Sequence, residues 1–173
     1  MTLQSVLSHF LITGRTWVLM LKLLWKVVVL LIRLGSGIVI LKQGFEKLTG
    51  GFAVDGLVPV IQSNQDSPGW YKFFFSHVVA HQLDLFHWMI PLGEIAIGLG
   101  LILGILSYSA SFFGVFVMLN YLLADMIFTY PLQLFFFIIL LMNKETLQTL
   151  SLSHFFKKSQ LRTDKDGTYT NRG

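Results

Sequence analysis

Residues 91–106 read PLGEIAIGLGLILGIL, and one carboxylate, Glu94, stands near the start of a run that is otherwise apolar or glycine. The run has the length and composition of part of a membrane-spanning helix, which needs roughly 20 mostly apolar residues. A charge inside such a helix costs about 2.5–3.5 kcal/mol on insertion scales, so it turns inward and finds a partner. The reading of this stretch therefore decides both the class of fold and the place to look for chemistry.

The rest of the chain agrees with a membrane setting. Of 173 residues, 54% are hydrophobic and 13% charged, and the mean hydropathy is +0.66. A soluble domain usually carries about 25% charged residues. Sixteen Phe and four Trp exceed what so small a core can hide, since short chains bury only part of their surface. These numbers imply an integral membrane protein of one domain, residues 1–156, with a polar tail over 157–173. The absence of cysteine excludes disulfides, thiolate nucleophiles, Cys-ligated zinc and iron–sulfur clusters. The net charge of +4 is spread over the chain ends, which argues against a nucleic-acid partner. The N-terminal stretch, interrupted by Lys22 and Lys26, reads as retained rather than as a cleaved signal.

Hydropathy places four spans, at about 23–41, 86–106, 109–129 and 131–147. Only SYSA (107–110) and the turn at Tyr130-Pro131 separate the later spans, and short connections join antiparallel neighbours. The expected fold is all-α, an up–down four-helix bundle with a long extracytoplasmic first loop. Leu147, Leu150 and Phe155 are expected in the membrane interface after the fourth span. Basic residues before the first span and after the last place both termini in the cytoplasm of a bacterial or archaeal inner membrane. The partners expected are the lipid membrane, a redox subunit, and a second copy of the chain as a candidate.

At about 1.5 Å per residue, Arg33 and Glu94 both lie roughly 12 Å below the outer boundary, so an Arg33–Glu94 pair is expected. Its role stays open between locking two helices and building a pocket. Asn120, Tyr121 and Asp125 reach similar depth on the third span, and His87 stands at the mouth of the second. Gly93, Gly100 and Gly104 read as packing positions, whereas Gly98, one turn from Glu94, is expected to leave space beside it. His77, His81 and Asp84 have i, i+4, i+7 spacing, a geometry open to a metal, but no Cys or second acidic residue joins them, and no metal is assigned.

Arg33-Leu34-Gly35-x-Gly37, then Gly44-Phe45-Glu46-Lys47-Leu48 and Gly50-Gly51-Phe52, resemble the opening of the DoxX-like membrane proteins. The run from Gly93 to Gly104 resembles that family's second helix. Trp70-Tyr71-x-x-Phe74 and Leu119-Asn120-Tyr121-Leu122-Leu123-Ala124 are similar to its DoxD branch, the small subunit of thiosulfate:quinone oxidoreductase. The resemblance covers residues 27–143. It departs at LGILSYS, which lacks a basic residue, and at MNKETLQTLS after the last span. It implies a membrane subunit that passes electrons from a sulfur compound to quinone beside a partner protein. In that reading Arg33 and Tyr121 donate hydrogen bonds to a quinone, Glu94 and Asp125 relay protons, and Asn120, His87 and Gly98 line the site. The alternative is a non-enzymatic anchor, assembly factor or small transporter.

Overall fold

The computed structural model describes residues 3–149, with side chains described for 16–148. It is all-helical among the described residues: α1 (Leu3–Thr49), α2 (Leu57–Ser63), α3 (Gly69–His77), a 3-10 turn (Val79–His81), α4 (Leu83–Leu103), α5 (Ser107–Leu123), α6 (Tyr130–Met142) and α7 (Lys144–Thr149). Two helical segments, Thr16–Thr49 and Leu83–Leu103, are long and apolar enough to cross a membrane, and α5 and α6 are shorter apolar helices.

Helix α1 continues about two turns past the expected boundary at Leu41. Hydropathy falls at Lys42-Gln43, but neither residue stops a helix. The stop is Gly51, in the left-handed region at φ 72°, with Phe52 N–H donating to Lys47 O at 3.3 Å. That is the six-to-one closure of a glycine-terminated helix. Helix α4 also ends at a left-handed glycine, Gly104, φ 72°, whose N–H donates to Gly100 O at 3.1 Å.

Helix α5 ends at Leu123, not at residue 129. Met126 N–H donates to Tyr121 O and Asp125 N–H to Leu122 O, each at 3.0 Å, with Asp125 at φ 59°. Asp tolerates this left-handed position better than most side chains. The expected fourth span divides into α6 and α7 at Asn143, whose side-chain amide donates to Ile139 O at 2.8 Å. Leu147 is buried in the core rather than laid in an interface. Leu150 and Phe155 lie outside the described residues.

Helices α1, α4, α5 and α6 pack as a ring, α1 on α4, α4 on α5, α5 on α6 and α6 on α1. Its core includes Ile40, Ile97, Leu101, Met118, Phe137 and Leu140. The α1–α4 seam is the closest. A Cβ at Gly98 would stand 2.6 Å from Leu41 Cβ, and one at Gly44 would stand 2.8 Å from Pro91 O. Gly98 is therefore filled by α1 and leaves no space beside Glu94, contrary to expectation. These contacts fix an antiparallel register with Gly37 at Gly98–Ile102 and Gly44 at Pro91–Ile95.

The connection between α1 and α4 forms a cap over the loop end of the ring. Val54, Ile61, Tyr71, Phe75 and Val79 cluster there with Ala124. Ser67 Oγ donates to Leu123 O at 2.8 Å and Tyr71 Oη to Asn120 O at 3.0 Å, so the cap is tied to the end of α5.

Candidate functional site

The same register that seats Gly44 against α4 carries Lys47, one turn later, to Glu94. Lys47 Nζ lies 2.7 Å from Oε1 and 2.8 Å from Oε2 of Glu94, and 2.8 Å from Tyr121 Oη. Tyr121 Oη in turn donates to Glu94 Oε1. The Glu94 side chain is 0% exposed and that of Lys47 16%. Around this centre Tyr130 stacks on Tyr121 with ring centroids 4.4 Å apart. The Lys47 ammonium lies 4.8 Å from the Tyr121 ring centroid and 5.9 Å from that of Phe52. Helices α1, α4, α5 and α6 and the turn after α1 thus each give one side chain.

The donor count closes. An ammonium has three N–H groups, and Lys47 places all three on Glu94 and Tyr121. A buried carboxylate with a bidentate cation and a phenol donor meets the condition for a stable internal charge, which must be paired and hydrogen-bonded.

Glu94 and Tyr121 are therefore brought together as expected, but the cation is not Arg33. Arg33 is buried near Gly104: its Nη1 would stand 3.2 Å from a Cβ there. Fourteen residues, roughly 21 Å of helix rise, separate it from Lys47. Ending α1 at Leu41 set the two helices in the wrong register, and the extension to Thr49 corrects it. Lys47 was legible in principle, since Arg33, Ile40 and Lys47 recur every seven residues on one face and Gly50-Gly51 marks the helix end.

The other expected residues stand apart. Asp125 forms the left-handed stop of α5 rather than a relay on its face. Asn120 donates its side-chain amide to Phe116 O at 2.8 Å and accepts at its carbonyl from Tyr71. The His87 ring stands edge-on to Trp88, 5.5 Å between centroids. The run His77, His81, Asp84 is not one helix face, because α3, the 3-10 turn and α4 divide it. The His77 ring stacks on Phe73 at 4.0 Å. Among the described residues no three His, Cys, Asp or Glu side chains gather as metal ligands. Outside the ring, burial pushes the Tyr71 phenol up to about 12.

Comparison with known proteins adds one match. The DoxX family model matches residues 28–124, which takes in α1 from just before its first buried residue, the cap, α4 and all of α5, and so Lys47, Glu94 and Tyr121. No curated protein matches, and no solved structure matches.

Proposed function

The chain belongs to the DoxX family of membrane proteins, and from that premise we propose that it is the membrane subunit of a quinone-linked oxidoreductase, with the cluster of Lys47, Glu94 and Tyr121 as its working site. The observation that carries the reading is a fully buried carboxylate held by an ammonium and a phenol beside stacked aromatic rings. A quinone carbonyl needs hydrogen-bond donors, and Lys47 and Tyr121 are donors. A flat apolar headgroup needs aromatic walls, and Tyr121, Tyr130 and Phe52 are such walls. A quinone held there would supply the electron-accepting chemistry. The chain's own part would be to donate hydrogen bonds and hold a proton at Glu94.

In this reading α1, α4, α5 and α6 cross an inner membrane as an up–down bundle, with both termini cytoplasmic and the cap outside. From Trp25 to Lys47 the helix rises roughly 33 Å, close to the 30 Å of a hydrocarbon core. Trp25, Tyr108 and Lys144 mark one end of that length, and Trp70 and Trp88 the other, as interfacial aromatics do. Electrons would come from a sulfur compound through a partner protein, as in the DoxD branch.

The test is quinone binding and quinone reduction in native membranes carrying Lys47→Gln or Glu94→Gln, with Asp125→Asn as the control. Each cluster variant is expected to lose roughly a hundredfold in reduction rate, the usual weight of a positioned acid or base, and Asp125→Asn none. Wild-type affinity and rate in both cluster variants would sink the proposal.

A second reading, a non-enzymatic anchor or assembly partner, is favoured by one specific observation. All three Lys47 donors are already used inside the protein, as in a structural lock. It predicts no quinone dependence, and loss of a partner's membrane attachment when the chain is deleted.

A further inference from the structure

The two oxygens of Glu94 are held unequally. Oε1 accepts from both Lys47 and Tyr121, whereas Oε2 accepts from Lys47 alone, at 2.8 Å. Any ligand oxygen that takes an N–H from Lys47 competes with these bonds, because the ammonium has no fourth proton to give. Drawing Lys47 away leaves Oε2 bare on a side chain that is 0% exposed. An ionised carboxylate in that position has lost its charge partner and is far costlier than a neutral acid.

We propose that Lys47 is a latch: when a hydrogen-bond-accepting ligand draws it from Glu94, the carboxylate takes up one proton at Oε2 from the loop end, so that ligand binding and proton uptake are coupled one to one. The proposal deepens the reading of the cluster given above and rests on it for the class of ligand. The step balances simply. A proton from water at the loop end forms an O–H bond at Oε2, Lys47 keeps its charge and transfers its hydrogen bond to the ligand, and the site gains one positive charge. Tyr121 keeps its bond to Oε1, so the acid remains anchored.

The loop end is the route because Lys47 is the most exposed member of the cluster and sits one turn from the Gly50-Gly51 stop. On the other side Ile97 is 5% exposed and Leu101, Met118 and Phe137 are 0%. The buried polar side chains elsewhere in the ring, Ser36, Ser111 and Gln133, are not groups that take up or release a proton near neutral pH. The titratable groups packed around Glu94 are Lys47 from α1, Tyr121 from α5, Tyr130 from α6 stacked on Tyr121, and Tyr71 from the cap, bonded to the residue before Tyr121. On its own helix Asp84 is exposed and His87 half-buried, and neither bonds to Glu94 among the described residues. Among the described residues no second carboxylate is bonded to the cluster to take the proton in its place.

The experiment removes the latch without needing a ligand. Infrared spectra of purified Lys47→Met are recorded at about pH 8, where exposed Asp and Glu side chains are ionised. One protonated-carboxyl band per chain is expected, shifted in deuterium oxide, absent from the wild type and lost in Lys47→Met/Glu94→Gln. Lys47→Gln, which keeps a donor but no charge, is expected to show the same band and serves if the Met variant does not survive purification. A variant without the band overturns the latch.

The absence of cysteine lets a single Asp66→Cys report which vesicles hold the cap outward. In those, the band must follow the outer pH, and a band that follows the inner pH overturns the route. A short-chain quinone added to the wild type completes the set. Binding with uptake of one proton supports the proposal, and binding without uptake overturns it. If the band appears in the variant but no quinone binds, the latch stands and the quinone reading falls.

Discussion

Helix α1 carries two cations on one face, and their surroundings differ. At the loop end Lys47 meets a carboxylate and a phenol, both carried by other helices. At the opposite end Arg33, 5% exposed, lies against Gly104, where α4 stops. The carbonyls of a helix C-terminus carry a partial negative charge that favours a cation within the last turn. The difference gives the loop end a titratable partner for its cation. A helix terminus cannot gain or lose a proton at neutral pH, whereas a carboxylate can. A buried cation marks a structural need, and only its partner tells whether that need is also a titratable site.

The strongest way to break this contrast is to remove one partner at the loop end. Lys47→Met or Glu94→Gln alone should cost about 3–5 kcal/mol, because each leaves an uncompensated buried group. The double variant should recover most of that loss, since a neutral pair of similar volume has no charge to desolvate. Thermal unfolding in detergent measures all three. Additive losses in the double variant would mean that the two side chains do not depend on each other.

The next largest effect belongs to the seam that sets the register between the two ends. Gly98→Val places a Cβ 2.6 Å from Leu41 Cβ and 2.9 Å from Gly37 O, and backbone cannot yield as a flexible side chain can. Overpacking of this kind costs about 1–3 kcal/mol. Because it pushes α1 from α4, it should also loosen Lys47 from Glu94, and the infrared band of the latch variant should appear weakly in Gly98→Val. Gly93→Ala is the control, as nothing lies within 4 Å of its added Cβ.

The register also explains what was legible in the sequence. The all-helical class, the membrane character and the burial of Glu94 followed from composition and hydropathy, which are local sums, and the family from the glycine-rich motifs of α1 and α4. Tyr121 was placed correctly because it sits inside an apolar run whose depth could be counted. The partner of Glu94 was missed because pairing depends on where helices stop, and hydropathy ends a helix where polarity rises, at Lys42. The backbone ends it where a residue takes a left-handed conformation, at Gly51. Asp125 was misplaced for the same reason: counted as a helix position, it is the stop. Tyr130 was read as a turn residue, and only the packing of α6 on α5 brings its ring onto Tyr121.

The cap sharpens the comparison from outside the ring. Tyr71→Phe removes the donor to Asn120 O and should cost about 1 kcal/mol. Burial of the same phenol gives a pH signature. The folded phenol titrates at about 12 against an ordinary 10.0, so its contribution is intact below pH 10 and declines as pH rises from there to about 12. Alkaline unfolding of the wild type should therefore begin in that window. In Tyr71→Phe this part of the pH dependence should vanish.

The smallest effects are expected at the opposite end, at two contacts on its surface. There Trp25 Nε1 donates to Asn143 Oδ1 at 2.7 Å, and the Lys144 ammonium lies 4.8 Å from the centroid of the Tyr108 ring. Both contacts are largely exposed, where a cation over a ring is worth about 0.5–1 kcal/mol and a hydrogen bond about 1 kcal/mol net. Trp25→Phe and Lys144→Gln should each lower the unfolding midpoint slightly and leave quinone reduction and the infrared spectrum unchanged. The Lys144→Gln effect should shrink further in high salt, which screens exposed charges more than buried ones. The loss in Lys47→Met should hold its size under the same salt. A salt series on these two lysines therefore separates the ends of the molecule by burial alone, and equal salt responses would mean that Lys47 is solvated and the loop-end cluster is open to water.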